Sequence, residues 1–302
     1  MMLPDEVRSP LTGEASKLTK RIPAAFLVKA YSDRFGYDAA PCFKDAPEVG
    51  IYVCPSGFRF YWPLTTSGPA ALYEALARHD WNYQETKWEH DVALQWLKAG
   101  DAVLDVGCGQ AAFLARAKAL GATVAGLEFN PTAAQVGRDR GVDVTTETIA
   151  QHARRRPGTY DVVTSFQVLE HVTDPKTFMS DLIAAAKPGG RIVIGVPNSD
   201  GFVGMDDDAV LNAPPHHMGL WGRESLERFG RLLGLTVERA EIEPVTVNAG
   251  WFQAVVEREF VPRGWKGKLF YKLGGSEAVK RAIERLAPSI AGHTLIVVFR
   301  KT

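Results

Sequence analysis

The amino-acid sequence predicts an α/β protein built on a doubly wound, mostly parallel sheet. Segments of strand character alternate with segments of helical character from residue 102 to residue 243. Alternation of this kind builds a parallel sheet with helices on both faces. A glycine turn, "DVGCGQA" at residues 105–111, joins the first of these strands to its helix. Such a turn is typical of nucleotide-binding α/β folds, so the sequence also predicts a ligand site at this turn.

The chain begins with a different pattern, and residues 1–70 predict a small, irregular, β-rich module. Many proline and glycine residues there separate short aromatic runs such as "IYVC" and "FRFYW". From residue 71 to Gly100 the apolar residues recur near helical spacing, which predicts two helices ending at Gly100. We therefore place a domain boundary near residue 70, with a larger domain over residues 71–302.

The larger domain contains seven predicted strands and five predicted helices in alternation. The strands are predicted over residues 102–107, 123–128, 142–147, 160–167, 191–198, 235–243 and 293–301. The helices are predicted over residues 111–121, 131–141, 149–156, 174–190 and 223–234. The last strand follows an insertion over about residues 245–292, in which apolar residues recur at helical spacing and predict amphipathic helices.

Composition limits the classes of partner. Lys plus Arg and Asp plus Glu both number 35, so the net charge predicts no nucleic-acid partner. The three cysteines form no C-x-x-C pair and predict no disulfide framework. The N-terminus shows no secretory signal, and no apolar stretch approaches the roughly 18 residues that span a bilayer. We expect a soluble, cytoplasmic protein.

The ligand of the glycine turn is indicated by charge. Gly107, Gly109 and Ala112 satisfy the G-x-G-x-x-G/A pattern, and the acid Glu128 follows as in dinucleotide-binding folds. However, Asp105 ends the first strand where a dinucleotide would place its pyrophosphate. Like charges about 4 Å apart repel by about 4 kcal/mol at an effective dielectric near 20. S-adenosylmethionine (SAM) presents an ammonium and a sulfonium instead, so Asp105 favours SAM over NAD.

Three longer motifs resemble one protein family. They read "VLDVGCGQAAF" with "VAGLEFN", then "YDVVTSFQVLEHVTDP", then "AAKPGGRIVIGVPN". Together they resemble the class I SAM-dependent methyltransferases, most of all the type 11/12 group, which includes the ubiquinone-pathway O-methyltransferases and many sugar and glycan methyltransferases. The resemblance covers residues 85–240 and the last strand. It implies a Rossmann-like sheet closed by an antiparallel strand, SAM as the cofactor, and a small-molecule or glycan acceptor.

The resemblance also implies which residues bind the cofactor. Asp105 would face the amino-acid end of SAM, Glu128 the ribose, residues 147–149 the adenine, and residues 166–167 the methionine part. The predicted cofactor-binding set is Asp105, Gly107, Gly109, Glu128, Glu147, Thr148, Ile149, Phe166 and Gln167.

Three histidines are candidates for the chemistry. A hydroxyl acceptor needs help in losing its proton, and a positioned imidazole can supply it. His171 follows the fourth predicted strand of the alternating series, and His216 and His217 lie in "APPHHMGLW", the loop that closes over the acceptor in this family. We favour His217 as the base, keep His216 as the alternative, and expect His171 to act in structure or beside the cofactor.

The sequence predicts no metal site. Many sugar methyltransferases of this branch carry an N-terminal zinc ribbon, which the first module resembles. Here Ser9 and Thr12 stand where two cysteines would be and only Cys54 remains, whereas a structural zinc needs four ligands. The acidic run "MDDDAV" at residues 205–210 could hold Mg²⁺ but is expected to be a solvated loop.

The leading hypothesis is a methyltransferase acting on a hydroxyl of a sugar-containing or phosphorylated small molecule. Lys266, Lys268 and Lys272 in the insertion would meet an anionic acceptor if the insertion is a lid, or solvent if it is not. The alternatives are a quinone-precursor O-methyltransferase, an NAD-dependent oxidoreductase, and a non-catalytic SAM-binding subunit. The oligomeric state stays open at this stage.

Overall fold

A computed structural model describes residues 3–78, 85–205, 209–261 and 264–302. Its strands are β1 (Glu6–Arg8), β2 (Ala15–Pro23), β3 (Glu48–Val53), β4 (Arg59–Trp62), β5 (Ala102–Val106), β6 (Thr123–Leu127), β7 (Asp143–Thr145), β8 (Tyr160–Phe166), β9 (Ala186–Pro197), β10 (Gly219–Leu220), β11 (Leu235–Pro244) and β12 (Ala291–Lys301). Its helices are α1 (Ala24–Phe35), α2 (Ala70–Leu76), α3 (Trp88–Leu94), α4 (Ala112–Ala119), α5 (Pro131–Asp139), α6 (Ile149–Arg155), α7 (Pro175–Ala185), α8 (Arg223–Leu232), α9 (Ala249–Phe260), α10 (Trp265–Lys272) and α11 (Gly275–Leu286).

The central sheet has seven strands in the order β11-β12-β9-β8-β5-β6-β7. Strands β7, β6, β5, β8 and β9 run parallel, whereas β12 is antiparallel to both β9 and β11. This confirms the predicted doubly wound, mostly parallel sheet. Helices cover both faces, so the central strands are buried along their length, as parallel strands are.

Alternation along the strands divides the core into two layers. On β12, Leu295, Val297 and Phe299 pack on the side of α6, α7 and α8, while Ile296 and Val298 pack on the side of α3 and α4. Successive side chains of a strand point to opposite faces, so both layers are filled from one apolar run. Such continuous apolar strands are why the sheet could be predicted from sequence.

The N-terminal segment forms its own antiparallel sheet in the order β1-β2-β3-β4-β10. Strand β10 comes from the loop that precedes α8, and it places Gly219 opposite Phe60 and Leu220 opposite Arg59. The predicted boundary near residue 70 therefore does not separate two independent sheets, because the larger domain contributes the edge strand of the smaller one. This pairing fixes the loop that carries His216 and His217.

Two local predictions differ from the structure. The first module contains a regular helix, α1, that buries Leu27 and Tyr31 and ends at Gly36 in the left-handed conformation. Residues 186–190, predicted as the end of a helix, begin strand β9 instead. Ala186 pairs with Tyr160 of β8, and Lys187 forms an ion pair of 2.8 Å with Asp161. Contacts between elements thus override the local helical pattern.

The predicted insertion helices are α9, α10 and α11. Val255 and Ile283 from this insertion pack on Phe202, Val203 and Val245. The insertion therefore rests on the segments that flank the ends of β9 and β11. No helix within the described ranges is long and apolar enough to cross a membrane.

Candidate cofactor and acceptor site

A cavity of about 740 Å³ opens at the carboxyl ends of β5, β6 and β8. All nine predicted cofactor-binding residues line it: Asp105, Gly107, Gly109, Glu128, Glu147, Thr148, Ile149, Phe166 and Gln167. Because parallel strands end at the same edge of the sheet, segments distant in sequence meet there. His171 and His216 line the same cavity. The structure thus brings the predicted cofactor residues and two of the predicted histidines to one place.

The glycine turn is shaped by close approach of the backbone. Gly107 adopts φ 80°, and its backbone N–H donates a hydrogen bond of 2.8 Å to the Leu127 carbonyl. A Cβ atom at Gly107 would lie 2.4 Å from Cγ2 of Val168. Any side chain at this position would therefore be strained and would collide with the segment after β8. The turn keeps backbone rather than side chains at the floor of the cavity.

Glu128 is oriented by two backbone amides. The Gly109 N–H donates to Oε2 and the Asn130 N–H donates to Oε1, both over 2.8 Å. Burial raises the pKa of this carboxyl, and the backbone hydrogen bonds oppose the rise. Each oxygen keeps a second lone pair for another donor. The arrangement fits the two ribose hydroxyls of SAM.

Asp105 lies at the bottom of the cavity and is buried. Thr164 Oγ1 donates a hydrogen bond of 2.7 Å to its Oδ1. Burial raises the pKa of Asp105 to about 7, Thr164 and Lys87 oppose the rise, and Glu128 adds to it. A cation bound beside this carboxylate would favour its ionised form. The site therefore fits a positively charged ligand group at this end.

We expect the affinity for SAM to depend on pH through Asp105. The raised pKa means that Asp105 is protonated below about pH 7, where it attracts a cation less. Affinity should therefore fall by up to about tenfold per pH unit below that value and level off above it. Calorimetric titration of SAM over this range measures the effect. Asp105→Asn is the control and should bind weakly without this step; an unchanged profile in the variant would contradict the assignment.

The part of the cavity that the resemblance assigns to the adenine is formed by the start of α6. Thr148 caps the helix by accepting from the Gln151 N–H, and the Gln151 side chain accepts from the Thr148 N–H in return. Glu147 is held by His152, whose Nδ1 lies 2.7 Å from Oε1, and by Arg155. The Glu147 carboxylate is thus engaged with the protein. Ile149 remains as an apolar surface beside it.

The part of the cavity that the resemblance assigns to the methionine group is formed by the end of β8. Phe166 packs edge-on against Phe113 at 5.0 Å and against His90 at 5.1 Å between ring centroids. Gln167 adopts φ 56°, and its side-chain amide donates to Oε1 of the buried Glu89 over 3.3 Å. Gln167 thus adopts a left-handed backbone conformation directly after β8, where it lines the cavity.

The three candidate histidines form one cluster, with ring centroids 4.4–4.8 Å apart. Nδ1 of His171 lies 2.7 Å from the His216 carbonyl, Nδ1 of His216 lies 3.1 Å from the Leu211 carbonyl, and Nδ1 of His217 lies 3.0 Å from Asn212 Oδ1. Burial lowers the pKa of all three, that of His171 to about 4. All three rings are therefore neutral at pH 7.

The three histidines differ in their position relative to the cavity. His171 and His216 line the cavity, whereas His217 lies behind His216, its ring stacked on that of His216 and its side chain directed to Asn212. A base must come within hydrogen-bond reach of the acceptor. Among the three, the position of His216 suits that role better.

Several residues of the site were not predicted from sequence. Tyr73 from α2 faces the cluster, with its ring centroid 5.5 Å from that of His171 and 5.7 Å from that of His216. Lys87 lines the cavity beside the cofactor residues. Both lie in the segment predicted as two helices, but their orientation toward the site follows from packing between elements rather than from a local pattern.

The described part of the insertion contributes nothing to the lining of this cavity. Lys268 instead borders a separate cavity of about 360 Å³ formed by the insertion itself, together with Glu257 and Tyr271. The idea that the insertion lysines contact the acceptor is thus not supported by their position. The acidic run at residues 206–208 lies outside the described residues.

In the first module, side-chain hydrogen bonds occur at the turns where a zinc ribbon would have cysteines. The Ser9 hydroxyl accepts hydrogen bonds from the backbone N–H groups of Leu11 and Thr12, at 3.2 and 3.3 Å. The Cys54 thiol lies 2.8 Å from the Ser56 hydroxyl. Hydrogen bonds therefore order these turns, and the absence of zinc from the module stays a prediction.

Comparison with known proteins agrees with this geometry. A sequence model of the family described as "Methyltransferase domain" matches residues 81–240. A ubiquinone biosynthesis O-methyltransferase of Pseudomonas savastanoi pv. phaseolicola is 31% identical over 198 residues, which cover 55% of this chain and 85% of that protein. Its counterpart in Klebsiella pneumoniae subsp. pneumoniae is 39% identical over 108 residues, which cover 34% of this chain and only 45% of the relative. A solved SAM-dependent methyltransferase from Archaeoglobus fulgidus, 18% identical, aligns with a TM-score of 0.48 over 78% of this chain and 100% of that one.

Proposed function

Because this chain belongs to the family of SAM-dependent methyltransferases, we propose that it methylates a hydroxyl group of a small molecule that carries no phosphate. The observation behind this proposal is that His171 and His216 line the same cavity as the nine cofactor residues. When bound, SAM supplies a methyl group on a positively charged sulfur, and its transfer converts the acceptor O–H into O–CH₃ and releases one proton.

The residues of the chain divide into two groups by role. Asp105 would hold the charged end of the cofactor and Glu128 its ribose. His216 keeps its Nδ1 at the Leu211 carbonyl, so that Nε2 is free to accept the hydrogen bond of an acceptor hydroxyl. Positioning of the two reactants supplies much of the rate, and the histidine assists the loss of the proton.

The charge of the lining argues against a phosphorylated acceptor. Glu74, Asp174 and Asp181 border the cavity together with Lys87. An anionic group would meet more carboxylates than ammonium groups there, and charge of one sign lining a cleft repels ligands of that sign. We therefore expect an uncharged acceptor.

The first candidate is an acceptor whose hydroxyl is attached to an apolar ring. Tyr73, Val168, Val172 and Phe178 contribute apolar surface to the lining of the cavity, and the ring of Tyr73 contacts His171 and His216. Such a surface suits the ring of a phenol, and the relatives that match this chain are named ubiquinone biosynthesis O-methyltransferases. A phenolic hydroxyl of a quinone precursor is therefore the first candidate.

A sugar hydroxyl is the second candidate. The carboxylates of Glu74, Asp174 and Asp181 are hydrogen-bond acceptors at the border of the cavity, and the several hydroxyls of a sugar could donate to them. The resemblance of the first module to the ribbon of sugar methyltransferases points the same way.

The test is methyl transfer from labelled SAM to matched panels of catechols, neutral sugars and sugar phosphates. We expect product with catechols, and product with neutral sugars alone would select the second candidate. Turnover confined to sugar phosphates would contradict the proposed acceptor class. SAM binding without transfer to any hydroxyl, while an amine is methylated, would reject O-methylation. Glu128→Ala serves as the control for cofactor-dependent transfer.

The insertion lysines should not affect the acceptor. Simultaneous replacement of Lys266, Lys268 and Lys272 by Ala is expected to leave KM within about twofold of the parent value, because described insertion residues do not line the cavity. Initial-rate kinetics on a confirmed acceptor would check this. A rise in KM well beyond that range would restore the insertion as part of the acceptor site.

A further inference from the structure

We propose that His171, His216 and His217 form a binding site for a divalent transition-metal ion of the zinc type. One ring nitrogen from each histidine lies within 4.8 Å of the other two. Imidazole is a preferred ligand of zinc and of the neighbouring first-row metals. No metal site is predicted from the sequence, which lacks the cysteines of a zinc ribbon. The histidine ligands come from two segments 45 residues apart, and only the fold brings them together.

The hydrogen bonds of the three rings indicate which nitrogen of each ring donates. Each Nδ1 lies beside an oxygen that accepts only: the His216 carbonyl for His171, the Leu211 carbonyl for His216, and the Asn212 side-chain oxygen for His217. A ring that donates from Nδ1 carries its lone pair on Nε2. Metal-binding histidines commonly use this arrangement, with the second nitrogen donating to a carbonyl or carboxylate.

A buried carboxylate provides the second, independent observation. Glu170 is 1% exposed, and neither oxygen of its carboxylate has a hydrogen-bond partner among the described residues. Its Oε1 lies 3.8 Å from Nε2 of His171. Buried polar atoms without hydrogen-bond partners are costly. A divalent ion held by the histidines would give the oxygens of Glu170 a partner.

The distances allow coordination after small side-chain movements. Zinc binds imidazole nitrogen at about 2.0–2.1 Å, so tetrahedral ligand atoms lie about 3.3 Å apart. The ring nitrogens therefore need to close by up to about 1.5 Å from their 4.8 Å limit. Three histidines leave one position of a tetrahedral ion for Glu170 or for an exogenous oxygen, as in sites that bind substrate.

The location gives such an ion a role that rests on the proposed function. His171 and His216 line the cavity, whereas His217 and Glu170 lie behind them. An ion at this wall would bind the acceptor oxygen and stabilise its deprotonated form, with the proton passing to solvent. The histidines would then act together as ligands rather than singly as a base.

The binding test uses the full chain, freed of metal by a chelator and titrated with Co²⁺ and with Zn²⁺. We expect stoichiometric binding, with the visible absorption of tetrahedral Co²⁺. His217→Ala should weaken metal binding by about 100-fold or more. The matched control is His293→Ala, which removes a histidine outside the cluster and should bind normally. Thermal unfolding and SAM affinity verify that each variant is folded.

The outcomes separate this inference from the proposed function. Failure of the folded parent chain to bind either ion, or undiminished binding in both His217→Ala and His216→Gln, would overturn the metal site. Metal binding that depends on the cluster, in a protein that methylates no hydroxyl, would support the site and reject the proposed acceptor class. Should His217→Ala fail to fold, His216→Gln decides the question, since it removes a ligand at the cavity surface.

Discussion

Replacement of His216 by Ala is expected to lower kcat by about 10²–10⁴-fold while leaving SAM affinity within a few-fold of the parent value. His216 lines the cavity, keeps Nδ1 at the Leu211 carbonyl and presents its other nitrogen to the acceptor. The loss should appear whether the imidazole accepts the proton or holds an ion that stabilises the acceptor oxygen. Steady-state kinetics on a confirmed acceptor, with calorimetry for SAM, measures both quantities.

Two variants serve as comparisons for His216→Ala. His293→Ala removes another histidine whose ring, packed on Trp251, lies outside the cluster, and it should turn over normally. His171→Ala should disturb SAM affinity or stability as well as kcat, because His171 joins the segment after β8 to the loop through the His216 carbonyl. Near-parent turnover in His216→Ala would leave positioning alone to explain the rate.

The second large effect concerns Glu128. Glu128→Ala is expected to weaken SAM binding by about 100-fold or more, because it removes the acceptor of two ribose hydrogen bonds. Hydrogen bonds to a charged group contribute about 1.5–3 kcal/mol each. The substitution also leaves the Gly109 and Asn130 amides without the carboxylate that now accepts from them. Calorimetry with SAM and with its demethylated product measures the loss.

The controls for Glu128 separate charge from local structure. Glu128→Gln keeps the size of the side chain and one acceptor oxygen, so its affinity should lie between those of the parent and the Ala variant. Glu74→Ala removes an exposed carboxylate at the border of the same cavity and should bind SAM normally. Unchanged affinity in Glu128→Ala would remove this residue from the cofactor site.

The architecture of the sheet and the cofactor end of the site could be predicted because their signals are local. The strands of the central sheet are short apolar runs between glycine or proline residues, and their order along the chain dictates which ends meet. Glu128 and the glycines of the turn lie within one strand–turn–helix–strand unit. Spacing in sequence therefore maps closely onto spacing in the folded chain.

The acceptor end could be predicted only in part. The residue types were recognised, since His171, His216 and His217 all lie in loops at the correct edge of the sheet. Which of the three line the cavity could not be predicted, because their loop is held in place by the pairing of Gly219 and Leu220 with strand β4. Tyr73 and Glu170 were missed for the same reason. The direction in which Tyr73 projects from α2 and the burial of Glu170 both depend on residues that are distant in the sequence.

By itself, then, the sequence determined the fold class, the glycine turn, the acid at the end of β6 and the candidate histidines. These follow from periodicity, backbone freedom and charge, which act over a few residues. The tertiary structure alone decided that a strand from the loop with His216 and His217 completes the first sheet and that the described part of the insertion lies away from the cavity. It also decided that three imidazoles and one unpartnered carboxylate converge. These features depend on contacts between segments far apart in the chain. The neutral histidine rings and the unpartnered Glu170 carboxyl group are consequences of burial, and side chains become buried only when the chain folds.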